Sequence, residues 1–292
     1  MKSVWLKDDA FLADVRAVLS KSDALHLWWI GQSGFLLHYQ GHLLLMDPYL
    51  SDSLTEKYRN TDKPHVRLSE QVIAPDRLDF IDVVTTSHTH TDHLDADTLK
   101  PLLRVNPGMQ IVIPEANRAF VAERLGIDPE RPIGLDDGTS CSAGGFRIHG
   151  VPAAHDTLET DEKGRHKFLG YVVEAGPWSV YHSGDTRYFP GMEDRLRRFH
   201  LTIGLLPING WAPERRVAGN LSIEEAIDVG VKAAIGLVVP HHFDMFAFNT
   251  ADPLLFESQA RARGLPVKVL RQGERLTIAS IRPGEAAQCY LD

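Results

Sequence analysis

Cysteine is nearly absent from this chain. Cys141 and Cys289 are the only two in 292 residues, they lie far apart, and neither belongs to a CxxC pair, which argues against a disulfide framework and against a cysteine-built structural zinc site. Long apolar runs are missing as well. No stretch approaches the roughly 18 residues of a membrane span, and the early charges Lys2, Lys7, Asp8 and Asp9 replace the apolar segment of a secretory leader. A cytoplasmic protein with no membrane partner is the expectation. Positive charge is not in excess, since 31 Lys and Arg stand against 39 Asp and Glu for a formal charge of −8, and this speaks against broad affinity for nucleic acid. No Gly-rich phosphate loop and no dinucleotide fingerprint follows the first strand, so nucleotide cofactors are not implied. Gly31-Gln32-Ser33-Gly34 places a serine among glycines, but in a strand-to-strand turn and not in the GxSxG elbow of a serine hydrolase. Low-complexity segments and convincing repeats are lacking too, and a single domain over 1–292 is expected.

What is present is an ordinary globular composition, 43% hydrophobic and 24% charged, long enough to bury a core without metal or disulfide staples. Any metal is therefore available for chemistry. Phe11, Leu12, Val15, Val18 and Leu19 share one face of a helix over 8–20. Short apolar runs at Leu27–Ile30, Phe35–Tyr39 and Leu43–Met46 predict a β-meander with Gln40 and Gly41 as a turn. A strand over Ile81–Ser87, rich in β-branched residues, precedes a helix over Asp95–Leu103. Further strands are predicted at 110–113, 146–151, 168–174, 178–182, 201–206 and 235–239, with helices at 115–124, 222–232 and 251–263. The charged segment Glu159–Lys167, with Gly164, reads as an exposed hairpin loop or lid. Two β-rich stretches each followed by helices make an α/β fold of two facing βα halves.

Histidine is the informative excess, with 14 copies, several clustered beside aspartates. Ser87-His88-Thr89-His90-Thr91-Asp92-His93 sets three imidazoles and a carboxylate in one loop just after a buried strand. In an extended loop His88 and His90 point the same way, and a turn at Asp92 lets that carboxylate and His93 face a second centre. Nitrogen and oxygen donors without sulfur suit zinc, manganese or iron.

This loop resembles the HxHxDH signature of the metallo-β-lactamase superfamily. That family requires a later His, an Asp that bridges two metals and a final His, each at a strand end. His155 after Val151-Pro152-Ala153-Ala154, Asp185 after Tyr181-His182-Ser183-Gly184, and His242 after Val238-Val239-Pro240-His241 stand in that order. The resemblance implies a four-layer αβ/βα sandwich, two mixed sheets flanked by helices, holding two divalent ions, Mn2+ or Zn2+. His88, His90 and His155 would hold one and Asp92, His93 and His242 the other, with Asp185 between them. Asp92, Asp185 and His242 would serve the catalytic step, in which a metal-activated water attacks. His182 is expected to point away from the metals, and Asp47 to accept a ring N–H from the histidine loop.

Within the superfamily, Trp28-Trp29-Ile30-Gly31, Tyr181-His182-Ser183-Gly184-Asp185 and Pro240-His241-His242 followed by Asp244 are similar to the L-ascorbate-6-phosphate lactonase group. Leu206-Pro207-Ile208 and Ser222–Ala226 also resemble N-acylphosphatidylethanolamine-hydrolysing phospholipase D. The resemblance implies a lactonase for a small substrate, phosphorylated sugar lactones included, and self-association into a homo-oligomer. Its rivals are a phosphodiesterase and, in another class, a metal-binding sensor or scaffold without turnover. Arg215, Arg216 and His241 are the candidate substrate contacts, the arginines because their fork suits phosphate. Asn209, Asn220 and Trp211 are weaker candidates for the cleft wall.

Overall fold

A computed structural model describes residues 1–20 and 23–279 in full, and the backbone of 289–290. In chain order the strands are β1 (Ala24–Gly31), β2 (Gly34–Tyr39), β3 (His42–Met46), β4 (Val83–Thr85), β5 (Gln110–Pro114), β6 (Ile133–Leu135), β7 (Ser140–Ala143), β8 (Phe146–Pro152), β9 (Leu169–Ala175), β10 (Trp178–His182), β11 (Ile203–Pro207), β12 (Leu237–His241), β13 (Arg275–Ala279) and β14 (Cys289–Tyr290). The helices are α1 (Asp8–Arg16), α2 (Ser53–Tyr58), α3 (Ala96–Val105), α4 (Arg118–Leu125), α5 (Met192–Arg197), α6 (Ile223–Lys232) and α7 (Pro253–Ala262).

Period-two burial explains how these strands form two sheets between helices. Along β1, Leu27 and Trp29 join the cluster between the sheets, whereas Trp28 and Ile30 pack outward with Phe11, Leu12 and Val15 of α1. The same alternation sends Leu44 and Met46 of β3 inward and Leu43 and Leu45 outward, against the cluster that also takes in Leu99 of α3 and Val121 of α4. A strand buried on both faces reads as a nearly continuous apolar run, as β1–β3 do. The first sheet has the order β14-β13-β1-β2-β3-β4-β5-β6 and the second β12-β11-β10-β9-β8-β7. Both are mixed: β3 to β6 run parallel and β1 to β3 antiparallel, while β10 to β12 run parallel and β7 to β10 antiparallel. The fold is the expected α/β sandwich of two mixed sheets flanked by helices.

This topology decides where chemistry can happen. β8 and β10 both run antiparallel to β9, so β8, β10 and the parallel β11 and β12 finish at one edge of the second sheet. Loops that leave this edge carry residues 155, 185 and 242. Among the described residues no helix is long and apolar enough to cross a membrane.

Several expectations are corrected in detail. The helix over 8–20 ends at Arg16, with Val18 still buried in the turn that follows. The strand over 81–87 is only Val83–Thr85, and the 201–206 and 235–239 strands start at Ile203 and Leu237. Residues 115–117 form a 3-10 turn before α4. Segment 159–167 is a hairpin, with an isolated bridge between Thr160 and His166, but it is pinned rather than loose. Arg165 pairs with Asp161 and reaches Glu115, and Asn117 donates to the Lys167 carbonyl.

Candidate metal centre

The loop after β4 is braced from three sides. Its turn closes where the Leu94 amide donates to the His90 carbonyl at 2.8 Å. Arg124 of α4 donates to the carbonyls of Thr89 and Leu94 at 2.8 and 3.1 Å. Asp95, the N-cap of α3, takes hydroxyl hydrogen bonds from Ser51, Ser53 and Thr98, which fixes the point where loop becomes helix. Beneath the loop lies Asp47, fully buried after β3. It accepts from the Ser87 amide at 2.7 Å and from the Ser87 hydroxyl, and faces His93 Nδ1 at 2.5 Å. The expected buttress is therefore in place, and it leaves His93 Nε2 as the outward atom.

The structure brings all seven sequence-derived ligand candidates together, in two groups. His88, His90 and His155 form one, and Asp92, His93, Asp185 and His242 the other; within each group the donor atoms lie within 4.8 Å of one another. His90 Nδ1 and His155 Nε2 are 3.2 Å apart. Asp185 spans the groups, with Oδ1 3.3 Å from His93 Nε2, and Oδ2 3.3 Å from His242 Nε2 and 3.7 Å from His155 Nε2. The approach of the Asp185 loop to the histidine loop depends on Gly184, whose φ is +58° and where a Cβ would fall 2.5 Å from Ser87 Cβ.

These residues fit metal ions. Four ligands at about 2.0–2.1 Å in a tetrahedron stand roughly 3.3–3.4 Å from one another, close to the spacings seen here. The buried Nε2 of His88 has no hydrogen-bond partner, a cost of about 1–3 kcal/mol that coordination would remove. Charges are arranged to match. Burial, then neighbouring His93, His90 and His155, hold His88 well below the ordinary imidazole range, so it is neutral and able to ligate. Burial works against the Asp185 charge, but His242 and His93 outweigh it and keep the carboxyl well below its usual value. Burial also opposes a proton on His93, yet Asp185, Asp92 and Asp47 together raise it well above the usual range. The metal-free site thus retains a proton on His93 that an incoming cation must displace.

The candidate substrate contacts fare differently. His241 is wholly buried behind the centre: Nδ1 is 3.2 Å from Ser33 Oγ, and the ring stacks on His182 at 5.5 Å. His242, just past the end of β12, has a left-handed φ of +63° and turns toward the centre, whereas His241, the last residue of β12, stays in the core. Arg215 spends its guanidinium on the Asn209 carbonyl and Asn249 Oδ1, and Arg216 is drawn outward into an ion pair with Asp62 at 2.8 Å. None of the three lines the cavity that opens on the donor groups. Asn209, Asn220 and Trp211 do not line it either. His182 faces away, as expected, with Nε2 2.8 Å from the Ser33 carbonyl.

That cavity has a volume of about 440 Å³. His90, Asp92, His155, Asp185 and His242 form its floor, and Leu54, Tyr58, Phe120, Phe246 and Phe248 supply apolar wall. Lys57 and Arg124 are its cations, and Gln32 is a polar wall residue. Sequence reasoning missed Gln32, which it treated as turn material, and the whole contribution of α2. The one available signal was Gln32 itself, a residue with two amide hydrogens inside a Gly-flanked turn.

A two-sheet sandwich with paired His and Asp donor groups at its strand ends is built to hold metal ions. A family model described as a beta-lactamase superfamily domain matches residues 42–243, and the chain belongs to the metallo-β-lactamase superfamily. Its relatives include a UPF0173 metal-dependent hydrolase of Opitutus terrae, 29% identical over 87% of this chain and 100% of that protein. Another, from Saccharolobus solfataricus, is 25% identical over 86% of this chain and 99% of its own length. Among solved structures, the metallo hydrolase Igni18 of Ignicoccus hospitalis is 25% identical, with a TM-score of 0.64 over 87% of this chain and 98% of that one.

Proposed function

We propose that the chain hydrolyses the ring ester of a small lactone. The observation that carries this reading is the cavity: about 440 Å³, apolar along one wall, with both donor groups on its floor. That volume is in the range of small-molecule sites. Divalent ions held by His88, His90, His155, Asp92, His93, Asp185 and His242 would supply Lewis acidity and ease deprotonation of water.

The protein's own groups do the rest. Leu54, Phe246 and Phe248 exclude bulk water and hold the carbon skeleton, which strengthens every polar contact on the floor. Asp92, on the cavity floor, carries the proton shed by the attacking water to the departing alkoxide. Lys57, which lies over the Tyr58 ring at 5.2 Å, is the cation positioned to meet an anionic substituent, so a phosphorylated substrate is met there and not at Arg215 or Arg216.

The test is turnover of a panel of γ- and δ-lactones, with and without a phosphate group, beside bis(p-nitrophenyl) phosphate, after loading with Zn2+ or Mn2+. Lactone hydrolysis that EDTA abolishes and metal restores is expected. Diester hydrolysis with no lactone hydrolysis would replace this reading with the phosphodiesterase one.

A further inference from the structure

Gln32 occupies the turn between β1 and β2 in a left-handed backbone conformation, φ +50°, although it is not glycine. Such strain persists only where the surroundings hold it, and it concentrates at functional sites. Here its carbonyl oxygen accepts from the Trp29 indole at 3.0 Å and from the His242 amide at 3.1 Å. The turn is therefore tied to the loop that carries a ligand candidate.

The side chain is only 1% exposed and borders the cavity. Its Nε2 lies 2.9 Å from Asp92 Oδ2 and 3.0 Å from His242 Nε2, while Oε1 is buried without a partner. Turning the amide over would set Oε1 against the Asp92 carboxylate, so the contacts themselves fix which end faces the floor. One N–H belongs to Asp92. The other faces His242 Nε2, an atom whose lone pair a bound cation would claim. With that acceptor taken, a buried amide hydrogen is left beside the cavity floor without a partner.

We propose that Gln32 is a catalytic residue whose second side-chain N–H donates to the oxyanion that develops on the substrate's acyl oxygen. The proposal rests on the lactonase reading for the identity of that oxygen. In the step, the water oxygen bonds to the carbonyl carbon and the C=O π pair moves onto the acyl oxygen, where Gln32 meets it. When that pair returns, the ring C–O bond breaks, and the proton shed by the water ends on the departing alkoxide. A donor already aimed at developing charge in a water-poor site needs no reorganisation, and loss of one such donor costs about 10²–10³ in kcat.

Metal content, thermal melting, lactone kinetics and inorganic phosphate affinity are measured for wild type, Gln32→Ala and Gln32→Asn. Phosphate serves as a tetrahedral oxyanion that does not depend on the substrate's identity. Gln32→Ala should keep its metal, lose about 10²–10³ in kcat with KM within about threefold, and bind phosphate about tenfold more weakly. Asn tolerates positive φ, so Gln32→Asn keeps the turn and shortens only the reach; it should follow Gln32→Ala in kcat, and it decides the matter if Gln32→Ala fails to fold. Metal loss in step with activity, or wild-type kcat and phosphate affinity in the folded variants, would overturn the assignment. If wild type hydrolyses no lactone, the lactonase reading falls, and the phosphate comparison still decides Gln32.

Discussion

The contact between Asp47 and His93 sets a property of the site that a single isosteric change exposes. Asp47 is fully buried and acts only as an acceptor, for the Ser87 amide, the Ser87 hydroxyl and the His93 ring. Asp47→Asn keeps the volume, and Asn accepts the φ of +41° found there. One oxygen can still take the Ser87 amide, but an NH2 now faces His93 Nδ1. A cation held by His93 Nε2, the atom that faces Asp185 Oδ1 at 3.3 Å, leaves the ring's remaining proton on Nδ1, opposed to that NH2. Binding a cation at the group of Asp92, His93, Asp185 and His242 then sets two N–H groups against each other, which the wild-type carboxylate avoids. Loss of such a partner typically costs 10–100-fold in metal affinity, or about 1.4–2.7 kcal/mol. Competition against a chromogenic chelator should show one of two binding equivalents weakened by that factor, with the equivalent at His88, His90 and His155 less affected. Melting in EDTA checks that the variant is folded. Wild-type affinity for both equivalents in a folded Asp47→Asn protein would refute the reasoning.

Because the metal-free site keeps a proton on His93, metal binding should release protons and weaken as pH falls, which calorimetry in buffers of different ionisation enthalpy would detect. Gly184→Ala should destabilise the protein and lower its metal content together, since the new Cβ meets Ser87 and the φ of +58° disfavours alanine; unchanged melting and content would contradict this. Arg215→Ala and Arg216→Ala should leave the KM for phosphorylated lactones within about twofold, whereas Lys57→Ala should raise it by about five- to tenfold, roughly the 1–1.4 kcal/mol of a partly screened ion pair. Burial holds His38 below its usual value of 6.5, and its Nε2 accepts from the Gly41 amide. The unfolded chain therefore takes up a proton that the folded chain refuses, so stability is full above about pH 6.5 and is lost as pH falls below it. Urea titrations between pH 7.5 and 5.5 should show a smaller loss in His38→Gln.

The parts of the molecule legible in the sequence are those whose signal is local. Strands β1–β3 announce themselves because both faces are apolar, and the histidine loop because four donors fall within six residues. His155, Asp185 and His242 could be ordered only with the pattern of a family in hand, since one histidine at a strand end is by itself ambiguous. Helix α2, with Leu54, Lys57 and Tyr58 on the cavity wall, has six residues and no apolar period to read. β13 owes its place to pairing with β1 across some 250 positions, as in Leu27 with Leu276, which no window of sequence contains. Arg215 and Arg216 misled for a related reason: a loop near the right strand end says nothing about which way its side chains turn, and Asn209, Asn249 and Asp62 decide that here.

The two donor groups differ in how much chain each must wait for. His88, His90 and His155 are all present once 155 residues have been made, but the group of Asp92, His93 and Asp185 lacks its last member until residue 242. During synthesis the first group is therefore complete well before the second, and a nascent chain passes through an interval in which it has one full set of donors and a fragment of the other. The chain order of its donors thus makes the group that closes with His242 the later of the two to have all its members.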